Sequence, residues 1–258
     1  MTYLQLKSPT IFTRSATLKD WGIFVLFVVA GIGLYAAVSA FIGLYAFGED
    51  GEIATWAVPA IGAANFLCLA GVFLVLGIMW GQITWAEVGL RPLRWQWPWL
   101  FIGASVAVLI IPLRGALAMA AQILIEGNLD SVVARGDLFT SGGFSTQAFL
   151  LSLLFLGVLA PISEELFFRG LLHTWGMKYL QKFWVRALIS STLFGLAHLD
   201  SAGVTLSAFI MGWVIAWMYE RTQSILMPIV VHIATNSTAV TFLYFSLWAI
   251  DAGLIPEG

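Results

Sequence analysis

Residues 147–177 read "QAFLLSLLFLGVLAPISEELFFRGLLHTWGM", and this stretch decides the fold class. It is long and apolar enough for a transmembrane helix, which needs about 20 apolar residues. It nevertheless carries four ionisable side chains, those of Glu164, Glu165, Arg169 and His173. Such side chains are costly inside a membrane and are usually functional or paired. The stretch therefore predicts a membrane-spanning helix that contributes to a functional site.

The composition of the whole chain agrees with this interpretation. Of its 258 residues, 60% are hydrophobic and 10% are charged, and the mean hydropathy is +0.92. A soluble domain has about 25% charged residues, so we expect an integral membrane protein, in an inner, plasma, organelle or thylakoid membrane. The net charge of −2 argues against a nucleic-acid partner, which needs a clustered basic surface. The single cysteine, Cys68, leaves no intrachain disulfide and no cysteine-based zinc site.

Seven apolar segments are long enough to predict helices that cross the bilayer or nearly do so. They comprise residues 20–47, 53–80, 97–125, 147–177, 184–200, 203–220 and 225–249. The fold class predicted from them is all-α, a polytopic transmembrane bundle of about seven spans.

The loops on the two sides of this bundle differ in charge. One set holds Lys7, Arg14, Lys19, Arg91, Arg94, Lys178, Lys182, Arg186 and Arg221. The opposite set holds Glu49, Asp50, Glu52, Glu126, Asp130, Asp137, Asp200, Asp251 and Glu257, with Arg135 as its one base. Because cytoplasmic loops carry the excess of Lys and Arg, the N-terminus is predicted to be cytoplasmic and the C-terminus outside.

The two adjacent glutamates occupy different faces of their helix. Glu165, Arg169 and His173 are spaced four residues apart and share one face, so Glu165 is predicted to pair with Arg169. Glu164 is rotated by about 100° from its neighbour and has no partner at that spacing. Its carboxyl group is therefore a candidate for proton transfer.

Three further polar residues lie at a similar depth in neighbouring spans. Glu164 and His198 are each 17 residues from Gln181, the centre of the hairpin between the fourth and fifth spans. Both therefore lie about 20 Å into the membrane. In the last span, His232 and Asn236 lie about 15 and 21 Å from the turn on the same side. We expect these four side chains in one layer of the bilayer.

Several polar residues in these spans have a plausible structural role. A single His or Asn in a helix bundle more often forms an interhelical hydrogen bond than a catalytic centre. That interpretation is favoured for His173, near the cytoplasmic edge, and for Arg114, which is expected to snorkel or pair with an acid. Ser163 is interpreted as a local helix hydroxyl and not as a nucleophile.

The residues at matched depth allow two chemistries. A Glu and a His beside one water can activate it to attack a carbonyl, while a second His with an Asn stabilises the oxyanion. Alternatively, Glu164, His198 and His232 match the ligand types of a catalytic zinc site, with Glu165 or a bound water then supplying the base. The sequence contains neither HExxH nor a GxSG-like motif, so it fits soluble metalloproteases and intramembrane serine proteases poorly.

These residues form three motifs in a fixed order. EExxxR is present as Glu164, Glu165 and Arg169, FxxxH as Phe194 and His198, and HxxxN as His232 and Asn236. In this the chain resembles the CPBP family, the CAAX prenyl endopeptidases and their bacterial relatives, which are also called Abi proteins. The match extends over about residues 147–240.

The resemblance implies an all-helical intramembrane endopeptidase with a cavity that opens to the cytoplasm. Residues 1–146 would be variable N-terminal transmembrane helices, and residues 147–258 the catalytic membrane core. The partners implied are the lipid bilayer and a peptide or protein substrate that enters from the membrane or the cytoplasmic side.

The resemblance also implies a role for each motif residue. Glu164 and His198 would activate the water, His232 and Asn236 would form the oxyanion or ligand pair, and Glu165 and Arg169 would hold the site in shape. Family members are named metalloproteases, yet a metal-free glutamate mechanism is also proposed for them, so one divalent metal such as zinc stays an open expectation.

Two other functions remain as alternatives. One is a non-catalytic membrane scaffold or immunity partner with the same fold. The other is a small proton-coupled transporter, because Glu and His sets also form proton relays. The sequence shows no repeated half and no matched pair of broken helices, which disfavours the transporter.

Overall fold

The computed structural model describes residues 12–46, 54, 56–90, 97–130, 144–199 and 201–255. Within these ranges the regular structure is entirely helical, and they contain no strand. The all-α fold predicted from the sequence is therefore confirmed.

The helices of the described ranges are labelled α1 to α8 in chain order. They are α1 (Leu18–Ala46), α2 (Ala57–Met79), α3 (Trp85–Val88), α4 (Trp97–Glu126), α5 (Thr146–Tyr179), α6 (Phe183–Leu196), α7 (Ala202–Thr222) and α8 (Leu226–Asp251). Among the described residues, six of them are long and apolar enough to cross a membrane: α1, α2, α4, α5, α7 and α8. The chain is an integral membrane protein, and about seven spans was close to the observed number.

The fifth predicted span, 184–200, is shorter than expected. Helix α6 has only 14 residues and ends at Leu196. After α6 the backbone forms a tight turn, in which the amide of His198 donates to the carbonyl of Gly195 at 2.9 Å. Ser201 then caps the N-terminus of α7. His198 therefore lies in the turn between the two helices and not inside a span.

Helix α5 lies among α2, α6 and α8 and carries both glutamates. Its α-helical segment Ala160–Glu165 is flanked by the π-helical segments Leu153–Leu159 and Leu166–His173. Pro161 lies at the junction between the first π-helical segment and the α-helical segment, inside α5, and it has no backbone N–H to donate there. Local π-helical geometry is frequent at functional sites because it re-aims side chains.

Helices α5 and α6 form the antiparallel hairpin that the sequence predicts. His173 Nδ1 lies 3.1 Å from Ser190 Oγ, and the rings of Phe168 and Phe194 are 5.0 Å apart. In both pairs, the midpoint in sequence between the two residues lies within one residue of Gln181. This is the register from which the matched depth of the two site residues in this hairpin was inferred.

Three polar residues of the spans, to which the sequence assigns structural roles, have partners in the structure. His173 Nε2 lies 2.8 Å from Glu220 Oε1, and Arg114 Nε donates to Ser207 Oγ at 2.8 Å. Both pairs join different helices, which is the structural role favoured for these two residues. Ser163 Oγ lies 2.8 Å from the carbonyl of Ala160, a contact within its own helix.

The orientation inferred from the loop charges stays a prediction. Part of those charges lie outside the described residues, namely Lys7, Glu49, Asp50, Glu52, Arg91, Arg94, Arg135, Asp137, Asp200 and Glu257.

Candidate active site

The most deeply buried part of the candidate site is an ion pair on α5. Arg169 Nη1 donates to Glu165 Oε1 at 3.0 Å, and neither side chain is exposed. Arg169 Nη2 donates to the carbonyl of Gly212 on α7 at 3.0 Å, and its guanidinium lies 4.7 Å from the ring centroid of Phe194. This is the i,i+4 pairing expected from the spacing, and contacts to α6 and α7 hold it in place.

His232 on α8 lies between the two glutamates. Its Nδ1 is 2.7 Å from Glu165 Oε1, and its Nε2 is 3.7 Å from Glu164 Oε2. An ionised carboxylate only accepts hydrogen bonds, so Nδ1 is the donor toward Glu165. In the neutral ring, Nε2 then presents its lone pair toward Glu164.

Glu164 points away from this ion pair and is held by α2. Its Oε1 accepts a hydrogen bond of 3.1 Å from Asn65 Nδ2, and Asn65 Oδ1 in turn accepts one of 2.7 Å from Ser163 Oγ. Glu164 is 7% exposed and Asn65 is 6% exposed. Asn65 was missed from the sequence, although an amide in the middle of an apolar span was a signal that could have found it.

His198 is oriented by the backbone on both sides of its turn. Its Nδ1 donates to the carbonyl of Phe194 at 2.8 Å, since a carbonyl oxygen can only accept, and this makes Nε2 the acceptor of the neutral ring. The carbonyl of His198 accepts from Thr205 Oγ1 at 2.8 Å. The Phe194 ring lies 4.9 Å from that of His198 and 5.8 Å from that of His232. The motif phenylalanine thus packs against both histidines.

A cavity of about 520 Å³ brings part of the predicted set together. Glu164, His198 and Asn236 all line it, and so does Asn65. Most of its other lining residues are apolar and come from α1, α2, α5, α8 and the turn after α6. Asn236 Nδ2 also donates to the carbonyl of Leu156 at 3.3 Å, which fixes the amide against the wall.

The other three predicted residues are not among the described residues that line this cavity. Glu165, Arg169 and His232 are 0%, 0% and 2% exposed. They lie behind Glu164, which they reach through the His232 imidazole. The predicted set therefore divides into residues that face the cavity and residues that support them.

Comparison with known families identifies the part of the chain that builds this site. Residues 146–238 match the family model of the Rce1-like type II CAAX prenyl endopeptidases. This segment is similar to that family. The resemblance that the three motifs predict is confirmed over these residues, and all of the motif residues lie within them. The division into residues 1–146 and 147–258 stays a prediction.

Three relatives each align with about a third of the chain. An "Uncharacterized 24.3 kDa protein" of Escherichia coli is 31% identical over 96 residues, which are 36% of this chain and 44% of that protein. The "Putative membrane peptidase YdiL" of Bacillus subtilis is 35% identical over 95 residues, 36% of this chain and 38% of the relative. The "UPF0177 protein YxdF" of Lactococcus lactis is 35% identical over 81 residues, 31% of this chain and 44% of the relative.

The alignments thus span less than half of each relative. No solved structure matches the chain. Similarity to the Rce1-like family therefore concerns the helices that carry the motifs, while α1 and α2, which complete the cavity, lie outside the matched segment.

The positions of the candidate ligand side chains indicate whether this site could bind a metal ion. Within the described ranges, no three His, Cys, Asp or Glu side chains converge closely enough to hold a metal ion. The predicted ligands Glu164, His198 and His232 do not converge in this way, because Nδ1 of His232 is directed to Glu165 and its ring lies behind the cavity. The residues as placed do not fit a metal, and metal dependence stays a prediction.

Proposed function

We propose that the chain is an intramembrane endopeptidase that hydrolyses a peptide bond inside the cavity. The observation that carries this proposal is the exposure of Glu164, His198 and Asn236 to one largely apolar cavity within the membrane-spanning bundle. A pocket with apolar walls and a few convergent polar groups is typical of a binding or catalytic site. Similarity to the Rce1-like family and to a named membrane peptidase supports the same function.

Glu164 is the base of the proposed reaction. Its carboxylate takes a proton from a water molecule, whose oxygen attacks the carbonyl carbon of the substrate. His198 lies across the same cavity, and its Nε2 accepts a hydrogen bond that orients this water. Asn65 holds Glu164 Oε1, so the carboxylate is oriented before the water arrives.

His232 stores the proton that Glu164 has taken. Its Nε2 is 3.7 Å from Glu164 Oε2, and Glu165 next to its Nδ1 stabilises the imidazolium that forms when the proton is passed on. The proton then returns through Glu164 to the amine that leaves when the peptide bond breaks. Arg169 fixes Glu165 in this position.

Asn236 stabilises the oxyanion of the tetrahedral intermediate. Its amide has two N–H groups, of which one donates to the carbonyl of Leu156, so the second can donate into the cavity. Such a donor is worth about 10²- to 10³-fold in rate in comparable sites. His232 was expected to share this role, but its position behind Glu164 favours proton storage.

The substrate in this proposal is a peptide or a protein that reaches the cavity from the bilayer or the cytoplasm. The test compares protein termini in membranes of cells that contain equal amounts of wild-type protein, Glu164→Gln or Asp251→Asn. Asp251 is an exposed acid at the end of α8 and is the matched control. We expect a set of termini that disappears with Glu164→Gln alone. Identical termini in all three samples would contradict the proposal and favour a scaffold.

A further inference from the structure

The cavity continues well beyond the residues of the proposed reaction. Asn236 lines one part of it, and Tyr244 lines it eight residues further along α8, about 12 Å away. Tyr244 Oη lies 2.9 Å from Ser152 Oγ on α5, which also lines the cavity. The hydroxyl pair of Tyr244 and Ser152 therefore lies at the end of the cavity that is distant from Glu164.

A third hydroxyl lies along the same path. Ser39 on α1 lines the cavity, and its Oγ is buried and without a hydrogen-bond partner among the described residues. Helix α1 runs antiparallel to α5, and Gly31 of α1 contacts the ring of Phe167. Ser39 is eight residues beyond Gly31, about 12 Å further along the helix axis, which places it between Glu164 and Ser152 on the facing α5. A buried hydroxyl without a partner is unfavourable, so a ligand that supplies one would stabilise this part of the cavity.

The wall between the two polar ends is apolar. Leu156, Ile61 and Val240 belong to it, and their side chains offer no hydrogen bonds to a ligand. A ligand that fills this part of the cavity is therefore apolar along its middle. Within a membrane, however, the main chain of any peptide that leaves a helix needs new hydrogen-bond partners, because no water is available there.

We propose that Ser39, Ser152 and Tyr244 form a distal hydroxyl subsite for an extended, apolar segment of the substrate. The hydroxyl groups of Ser152 and Tyr244 bind main-chain amide and carbonyl groups of that segment about four residues from the cleaved bond, given about 3.3 Å per extended residue over the 12 Å between Asn236 and Tyr244. Ser39 binds a main-chain group between that point and the cleaved bond. The inference rests on the proposed endopeptidase function and adds the substrate class: a peptide that is unwound and apolar for at least four residues on one side of the cleaved bond.

The subsite is tested by the length of peptide that it needs. The probe is a tryptic digest of membrane proteins in detergent micelles, incubated with purified full-length protein. Every cleavage is sorted, separately for its N-terminal and its C-terminal side, by whether at least four residues lie on that side. The readout is the ratio of long to short events for each side, and the subsite affects the ratio of one side. Because both classes are measured in one sample, a lower amount of folded protein does not change this ratio.

Two double variants complete the experiment. Ser39→Ala with Tyr244→Phe removes two hydroxyls of the subsite, and Tyr45→Phe with Ser246→Ala removes two exposed hydroxyls from the same helices as a matched control. We expect the first pair to lower the ratio about tenfold, since each neutral hydrogen bond contributes roughly twofold to tenfold. The control pair is expected to keep the wild-type ratio.

Glu164→Gln separates this inference from the proposed function. If Glu164→Gln abolishes cleavage while the subsite pair keeps the wild-type ratio, the subsite is refuted and the endopeptidase function stands. If Glu164→Gln cleaves the digest as fast as wild-type protein, the proposed function fails and the subsite fails with it.

Discussion

Replacement of Asn65 by leucine tests the contact that joins α2 to the motif helix. The change keeps the approximate size of the side chain and removes the donor to Glu164 Oε1, a hydrogen bond of 3.1 Å between side chains that are 6% and 7% exposed. Water therefore does not readily replace the lost bond. A hydrogen bond to a charged group contributes roughly 1.5–3 kcal/mol, which corresponds to a loss of about 10- to 150-fold in kcat.

The assay is the rate of cleavage of the membrane-peptide digest by purified protein. Ser163→Ala is the matched control, because it removes the other side-chain contact of Asn65 and leaves the bond to Glu164. Asn65→Asp is a second variant of nearly the same shape that lacks the donor, and we expect it to be at least as slow. A kcat for Asn65→Leu within about twofold of the wild-type value, with Glu164→Gln inactive, would refute a positioning role for Asn65.

Arg169→Leu is expected to lower the free energy of unfolding by about 3–5 kcal/mol, because the carboxylate of Glu165 stays buried without its ion-pair partner. The double variant Arg169→Leu with Glu165→Gln should recover most of the thermal stability. Gly203→Ala is expected to destabilise the contact of α7 with α4 by about 1–3 kcal/mol, since its new methyl group would overlap the Ala118 backbone. The control is Gly115→Ala, whose methyl group faces open space and should not lower the melting temperature. Dialysis against a chelator is expected to leave the rate of peptide cleavage unchanged. A loss of cleavage that is restored by added zinc, and by no other metal, would instead support the predicted zinc ligands.

The parts of the site that were predictable depend on short-range geometry. The different faces of Glu164 and Glu165 follow from the helical repeat alone, and so does the pairing of Glu165 with Arg169. The register of the α5–α6 hairpin follows from its short loop, and this register placed Glu164 and His198 at one depth. These inferences needed only the number of residues between two positions, which can be read directly from the sequence.

The parts that were missed depend on how each helix is rotated about its own axis. Depth along α8 predicted that His232 and Asn236 lie near Glu164, but it did not show that Asn236 faces the cavity while His232 lies behind Glu164. Asn65 was missed for the same reason, because its contact with Glu164 joins residues that are 99 positions apart. The end of α6 before His198 was set by a tight turn that the apolar pattern did not reveal.

The net charge of the buried groups explains why adjacent glutamates are useful in this position. Glu164, Glu165 and Arg169 together carry one net negative charge while His232 is neutral, and burial makes such a charge unfavourable. A proton taken from water in the proposed reaction brings the group to neutrality, whether it resides on Glu164 or on His232. The base step therefore moves the negative charge from these buried groups to the oxyanion of the tetrahedral intermediate, which the amide of Asn236 stabilises in the proposed reaction. With only one glutamate the same group would begin neutral, and proton uptake would create a buried positive charge instead.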